Sequence, residues 1–300
     1  MRGREMFDRT VDEDPRPAAP PSRNRYRMRD GHRREYAASR ERGSAISFDE
    51  RCAGALTDIG VHGAVSYRDL AEARFGGHPY TTRRAVNAWT KKGLVTETIA
   101  TGPNGNPFKV LSLTRKGVAD ARDVAAKRGM NPAQQIRFTP APSAQAAHDT
   151  AIYRACEEER RRLLEHGATV RRVRLDTELK SKVARRSEAA RRKVGDRAAD
   201  AERRRTAREL GLPINDEGQV LYPDAQIEYT DAQGGTGRVN VEAVSGNYRE
   251  PAVRAKAAAG FAMHASGPAA ADLLKRLGLG GDDGGAWLGK PERDPATVEL

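Results

Sequence analysis

Asp224 and Glu242 are the residues of this chain whose types and spacing could do chemistry. Asp224 follows Pro223 in QVLYPDAQIEY, Glu242 sits in GRVNVEAVSG, and both segments read as strands joined by the turn-rich DAQGGTG. If Tyr229 pairs with Arg238, the antiparallel register puts Asp224 opposite Ala243 with Glu242 one step away, and a shift of one residue faces the two carboxylates directly. Two acids that close repel. A bound Mg²⁺ or Mn²⁺ would relieve the repulsion while supplying a Lewis acid for a phosphoryl oxygen and an activated water for attack. The plainer reading of the same residues is a hairpin with one acid at a turn and another at a strand end.

A second set of residues would act by binding. In SFDERCAGALTDIGVHG the apolar positions Phe48, Cys52, Leu56 and Ile59 recur at the period of a helix with one buried face. Ser66 caps a second helix, with Asp69 three residues on as a weaker capping box, and Gly76-Gly77 stops it after a stripe of Tyr67, Leu70, Ala71 and Phe75. A third helix starts at Thr81 or Thr82 and ends at Gly93. It buries Ala85, Val86 and Trp89 and presents Arg83, Arg84, Asn87, Lys91 and Lys92 to solvent. Leu94 to Thr101 and Phe108 to Leu113 are strand-forming around the turn chemistry of Gly102 to Pro107, and Thr114 caps a further helix to about Lys127. That order is a winged helix-turn-helix over residues 46–128. In the wing, Asn104 and Asn106 can donate to phosphate and Lys109 adds charge. The alternatives are a small helical domain whose Arg and Lys are merely solvated, or a winged helix that binds protein.

Composition agrees with a polyanionic partner. Lys plus Arg number 53 against 41 Asp plus Glu, a formal charge of +12 over 300 residues, which suggest about two domains. Cys52 and Cys156 each fall on an apolar helical face, so they read as reduced core residues, and the six histidines have no metal-ligand spacing. There is no apolar run long enough to span a bilayer and no apolar centre of a signal peptide near the start, so the expectation is a cytoplasmic protein with no membrane partner. Residues 1–45 mix prolines with many charges and read as a disordered arm. Within it Arg23, Arg25, Arg27 and Arg29 alternate, so that an extended arm would lay four cations along a minor groove or phosphate row, or else serve as a solubilising tail.

Residues 129–147 form a Pro/Ala/Gln linker, and a second domain spans 148–265. It opens at His148 with a helix that buries Ile152, Cys156, Leu163 and Leu164 and ends at Gly167; ATVRRVRLDTEL then reads as a strand of loose alternation. Residues 180–210 carry 12 Lys or Arg against 5 Asp or Glu, a balance of 12 − 5 = +7, with mostly alanine as apolar content. They read as a charged helical insertion outside any core, either solvated or in contact with nucleic acid. After Ser266, PAAADLLKRLG reads as a short helix with no clear fourth strand, and 266–300 as a Gly-rich tail.

A Pro-Asp on one strand and a Glu on the next, behind a leading helix and strand, resembles the PD-(D/E)xK core of restriction-endonuclease-like nucleases. More narrowly, the order resembles the replication-relaxation family of plasmid and mobile-element proteins. The matching residues are Leu113, Thr114 and Gly117 after the wing, His148 at a helix start, Pro223, Asp224 and Ala225 in a hairpin, and Val241 with Glu242 on the next strand. The resemblance implies Asp224 and Glu242 as Mg or Mn ligands and a lysine two residues after the second acid. That position is Val244, and Lys256, read here on the following helix within AVRAKAAAGFAMH, is the substitute the resemblance offers. The expected fold class is therefore α+β: an N-terminal winged helix-turn-helix, then a small α/β restriction-endonuclease-like domain with a charged insertion. The expected function is a sequence-specific, duplex-DNA-binding accessory protein of a plasmid or mobile element, acting with replication or mobilisation proteins. Its nuclease-like domain would be non-catalytic, and no cofactor is needed unless that site is active. The alternatives are a metal-dependent DNA endonuclease using Asp224, Glu242 and Lys256, and a transcriptional regulator whose second domain senses a ligand or forms a homodimer.

Overall fold

The computed structural model describes residues 48–102, 105–139, 145–279 and 285–286. Arg23, Arg25, Arg27, Arg29, the arm that holds them, and Asn104 lie outside these residues. The described residues form an α+β fold with two small sheets.

The first half runs α1 (Phe48–His62), β1 (Val65–Ser66), α2 (Tyr67–Phe75), α3 (Pro79–Lys91), β2 (Val95–Thr101), β3 (Pro107–Leu113) and α4 (Arg115–Lys127). Its sheet has the order β1-β3-β2, all antiparallel, with Val95 opposite Leu113 and Thr101 opposite Pro107. The caps follow local chemistry. Ser66 Oγ accepts the Asp69 N–H at 2.9 Å and Gly76 closes α2 in the left-handed region, where an L side chain is strained. Asp69 does not return the bond to Ser66. Its carboxylate instead accepts Arg154 Nε and Nη2, each at 3.3 Å. Helix α3 starts two residues earlier than Thr81, because Pro79 has the φ a first helical turn needs and no N–H to leave unpaired. Leu56, Ile59, Leu70, Phe75, Val86, Trp89, Leu111 and Leu113 form the core of this half, and Tyr153 joins it from the next helix.

The second half runs α5 (Ala146–Glu165), β4 (Thr169–Leu175), α6 (Asp176–Val194), α7 (Asp196–Glu209), β5 (Ala225–Thr230), β6 (Thr236–Val244), α8 (Glu250–Ala258), β7 (Ala262–Ala265), α9 (Pro268–Arg276) and β8 (Gly285–Ala286). The sheet order is β4-β5-β6-β7-β8, antiparallel except for β6 beside β7. Two expectations are corrected here, and the looseness of the β4 strand, which is found where expected, has a structural cause. First, a fourth strand exists, and it lies before Ser266: helix α8 stops at Ala258, Gly260 turns the chain at φ +82°, and AMHA pairs parallel to β6. Part of the Gly-rich tail then adds β8 to its far side. The loose alternation of β4 is a bulge, since the register slips between Val170 and Arg172. Second, the charged insertion is a pair of helices from Asp176 onward, broken at Gly195 (φ +106°), with a small core of its own. Leu179, Val183, Ala207, Leu210 and Leu212 are buried together, and Gln226 of β5 donates to the Leu210 carbonyl at 2.9 Å.

The connecting stretch is docked on both halves. Ile136 is buried in the first core, where the missing Cβ of Gly60 makes room for it, and the Arg137 N–H donates to the Gly60 carbonyl at 2.7 Å. Gln134 bonds β4 through its side-chain amide, donating to the Val173 carbonyl (2.9 Å) and accepting the Val173 N–H (2.8 Å). A buried ionic network joins α1 and α2 to α5. Arg74 is bidentate to Asp58 (2.5 and 2.6 Å), Tyr153 Oη donates to Asp58 at 3.1 Å, and Arg74 and Arg160 both reach Glu157. Further along α5, Glu159 and Glu158 hold His264 of β7 at 2.8 and 3.2 Å.

Candidate functional site

Two polar regions stand out, one on α3 and one where β5, β6 and α8 meet. Helix α3 buries Thr82, Ala85, Val86 and Trp89 and turns Arg83, Arg84, Asn87 and Lys91 outward, where with Tyr80 and Ala88 they line one shallow groove. The start of the helix is pinned. Tyr67 Oη donates to the Pro79 carbonyl at 3.1 Å, and the Arg83 side chain hydrogen-bonds the same hydroxyl. Lys92 is exposed just past the helix, its carbonyl accepting Lys116 Nζ at 2.9 Å. Asn106 is exposed at the hairpin tip, and its carbonyl accepts the Gly102 N–H. Lys109 differs from the others, because its ammonium lies 2.5 Å from Glu97 Oε1 on the neighbouring strand.

The acidic pair is brought together. Tyr229 pairs with Gly237, one residue off the Arg238 register, and one step past the Ala225–Val241 pair Asp224 stands opposite Glu242. The Asp224 N–H donates to Glu242 Oε2 (3.3 Å) and the Ala243 N–H to Asp224 Oδ2 (2.9 Å). Lys256 reaches in from α8, its Nζ 2.5 Å from Glu242 Oε1, and keeps only a fifth of its side-chain surface in water. Val244 points elsewhere, into a core with Val253, Phe261 and Met263. Burial and then the Asp224 charge push the Glu242 carboxyl above the usual range, against the pull of Lys256 and of a hydrogen bond from Tyr248. Burial and the same two acids raise Tyr248, so its phenol stays protonated.

Sequence reasoning missed two members. His148 Nε2 lies 3.3 Å from Asp224 Oδ1, and this bond raises the imidazole above its ordinary value against the effect of burial. Since a carboxylate only accepts, the proton sits on Nε2. Tyr248, in the loop after β6, is the second. His148 is singled out by the sequence only as a helix start and reaches Asp224 across 76 positions, whereas Tyr248 is six residues beyond Glu242 in a loop whose path the sequence does not fix.

The pocket offers carboxylate oxygens, the donor type a hard divalent cation takes. All four oxygens of Asp224 and Glu242 already accept from protein donors, and among the described residues no group of three or more His, Cys, Asp or Glu is placed to hold a metal ion. As placed, the pair is satisfied by protein donors and is not arranged as a metal cage, so a cation would have to compete with Lys256, His148 and two backbone N–H groups. Both cysteines are free thiols; burial pushes Cys52 up to about 11 and also raises Cys156 well above its ordinary value. Among the described residues no helix is long and apolar enough to cross a membrane. No family model, curated protein or solved structure matches the chain.

Proposed function

We propose that this chain is a duplex-DNA-binding protein, with its first half a winged helix-turn-helix and α3 the helix that enters the major groove. One observation carries the reading. The outward face of α3 is a continuous groove of Arg83, Arg84, Asn87 and Lys91 lined by no carboxylate, on a helix whose other face is locked into the core by Trp89. Arginine and asparagine are the residues that bond base edges bidentately, and the first turns of a docked helix are the part that reaches them. The hairpin of β2 and β3 is then the wing, with Asn106 at its tip. The five-stranded second sheet with α5 is read as a nuclease-like platform that binds or positions without cutting, which its self-neutralised acidic pair supports. An accessory role on a plasmid or mobile element follows from the motif resemblance alone. Gel-shift titration against a selected duplex tests the reading. The Arg83/Arg84/Asn87 triple alanine should lose sequence preference and at least about tenfold in affinity, since each base contact contributes about 1 to 3 kcal/mol. Parent-like binding by the triple variant would sink it.

A second reading, metal-dependent phosphodiester cleavage, is favoured by the 2.5 Å approach of Lys256 to Glu242, which places a cation beside the acid pair although Val244 takes the usual lysine position. Supercoiled plasmid incubated with Mg²⁺ or Mn²⁺ decides between the two. The first reading expects no nicking within hours. Mn²⁺-dependent nicking that vanishes in Asp224→Ala and in Lys256→Ala, with DNA binding intact, would install the second.

A further inference from the structure

Tyr80 is the most exposed of the large apolar side chains among the described residues, at 81%. It is the second residue of α3, three and four positions before Arg83 and Arg84 and seven before Asn87, so it shares their face and their groove. Its place is set by a rigid helix start. Besides the Tyr67 bond to the Pro79 carbonyl, the buried Thr82 bonds the His78 carbonyl through both its N–H (3.1 Å) and its hydroxyl (2.9 Å). An exposed aromatic ring carried on a pinned helix start, beside three cations and an amide, suits a partner that combines phosphates with an apolar group at the level of the bases. In the major groove one such group exists, the C5 methyl of thymine.

We infer that Tyr80 packs its ring against a thymine methyl and so sets part of the DNA sequence this face accepts. The inference rests on the duplex-DNA reading of α3 and adds the base that the helix start recognises. The geometry gives a division of labour along one stripe. The guanidinium and amide groups of Arg83, Arg84 and Asn87 supply hydrogen bonds, and Tyr80, one turn nearer the N-terminus, supplies the apolar contact that these three lack.

The test uses the full chain and a duplex it selects from a randomised pool, resynthesised with each thymine in turn replaced by deoxyuridine, which removes only the methyl. At one position, or two adjacent ones, the parent should lose about fourfold in affinity, the effect of one buried methyl. Tyr80→Phe should keep that sensitivity. Tyr80→Ala should bind the unmodified duplex more weakly and be indifferent to the replacement. A parent with no such position, or a Tyr80→Ala variant as sensitive as the parent, overturns the inference while the DNA reading of α3 stands. If Tyr80→Ala loses as much affinity for the single strand of the same sequence, with no deoxyuridine effect, the ring stacks on an unpaired base and the inference also falls. If the Arg83/Arg84/Asn87 triple alanine binds the duplex as the parent does, both readings fall together.

Discussion

The α3 face and the Asp224–Glu242 pocket are both dense in charge, yet they deploy it in opposite ways. The groove on α3 is lined by three cations and an amide with no acid among them. In the pocket every carboxylate oxygen already has a donor from the backbone, Lys256 or His148. A surface that lines its groove with cations and no carboxylate presents those groups directly to an anionic ligand. A pocket that has compensated itself must break bonds before it can make new ones, and its groups serve the fold first.

The sharpest way to break this comparison is to remove each region's charge and measure DNA binding. The Arg83/Arg84/Asn87 triple alanine should lose the most, whereas Asp224→Ala should leave affinity within about twofold, as a change outside the contact surface does. Equal losses would mean that DNA lies across the pocket. Stability should reverse the order. Lys256→Ala strips a buried acid of its cation and should cost roughly 3 kcal/mol in urea unfolding, while Lys91→Ala on the open groove should stay within about 0.5 kcal/mol.

A finer test follows from pH, because Glu157 and His62 lose their contributions as pH falls whereas His264 loses its contribution as pH rises. Burial favours a neutral Glu157, but Arg74 and Arg160 prevail and hold it down to about 2 from the ordinary 4.5. A depressed carboxyl contributes stability that is fully present above 4.5 and lost as pH falls through about 2. Burial lowers His62 from 6.5 to about 4, so its contribution is present above 6.5 and fades as pH falls through 4. His264 runs the other way. Burial opposes its charge, but Glu158 and Glu159 raise it above 6.5, so its contribution is complete below 6.5 and fades as pH rises through the raised value. Thermal midpoints across pH should show Glu157→Gln with a flattened acid limb and His264→Gln with a flattened limb above 6.5. Unchanged limbs would remove these groups from the stability account.

The smallest expected effect separates cations that the fold leaves open from one that it pairs. Lys91→Ala and Lys92→Ala should each lower the log–log salt slope of DNA binding by about 0.9 if they meet phosphates. Lys109→Ala should lower it less, because Glu97 already neutralises that ammonium. A full decrement for Lys109 would show that the pair opens on binding.

What could be read from the sequence was local chemistry. The caps at Ser66 and Thr114 and the stops at Gly76, Gly93 and Gly167 depend on residues a few positions apart and are found where expected. The Leu-Thr-x-x-Gly stretch also has a physical cause. Thr114 Oγ accepts the Gly117 N–H at 3.0 Å, and a Cβ on Gly117 would sit 1.9 Å from the Leu94 carbonyl oxygen. The misses are non-local or short. Strand β7 is four residues with no alternation and is stabilised by β6 and β8 across the chain, so its residues passed for the end of α8. The register that faces Asp224 with Glu242 was open to a one-residue slip, because turn composition alone does not fix where the ladder begins. The small core inside α6 and α7 was hidden by alanine, which buries little area per residue and becomes a core only where Leu179, Val183 and Leu210 converge.

Strand β4 is the outermost strand of its sheet, and such a margin normally offers unpaired N–H and C=O groups to any strand of a neighbouring molecule. Gln134 answers this with a single side chain. Its amide carries a donor and an acceptor as a peptide group does, and it occupies the Val173 N–H and carbonyl together. Arg171 adds an exposed charge on the same strand, which discourages edge-to-edge growth, whereas Arg172 and Arg174 are paired with Glu178 and Glu228. Resistance to aggregation in the second half is thus supplied by the segment that joins it to the first. Cleavage of the chain after Gln134 and before α5 would leave that side chain on the N-terminal fragment, so that separating the halves exposes the margin to strands from other copies.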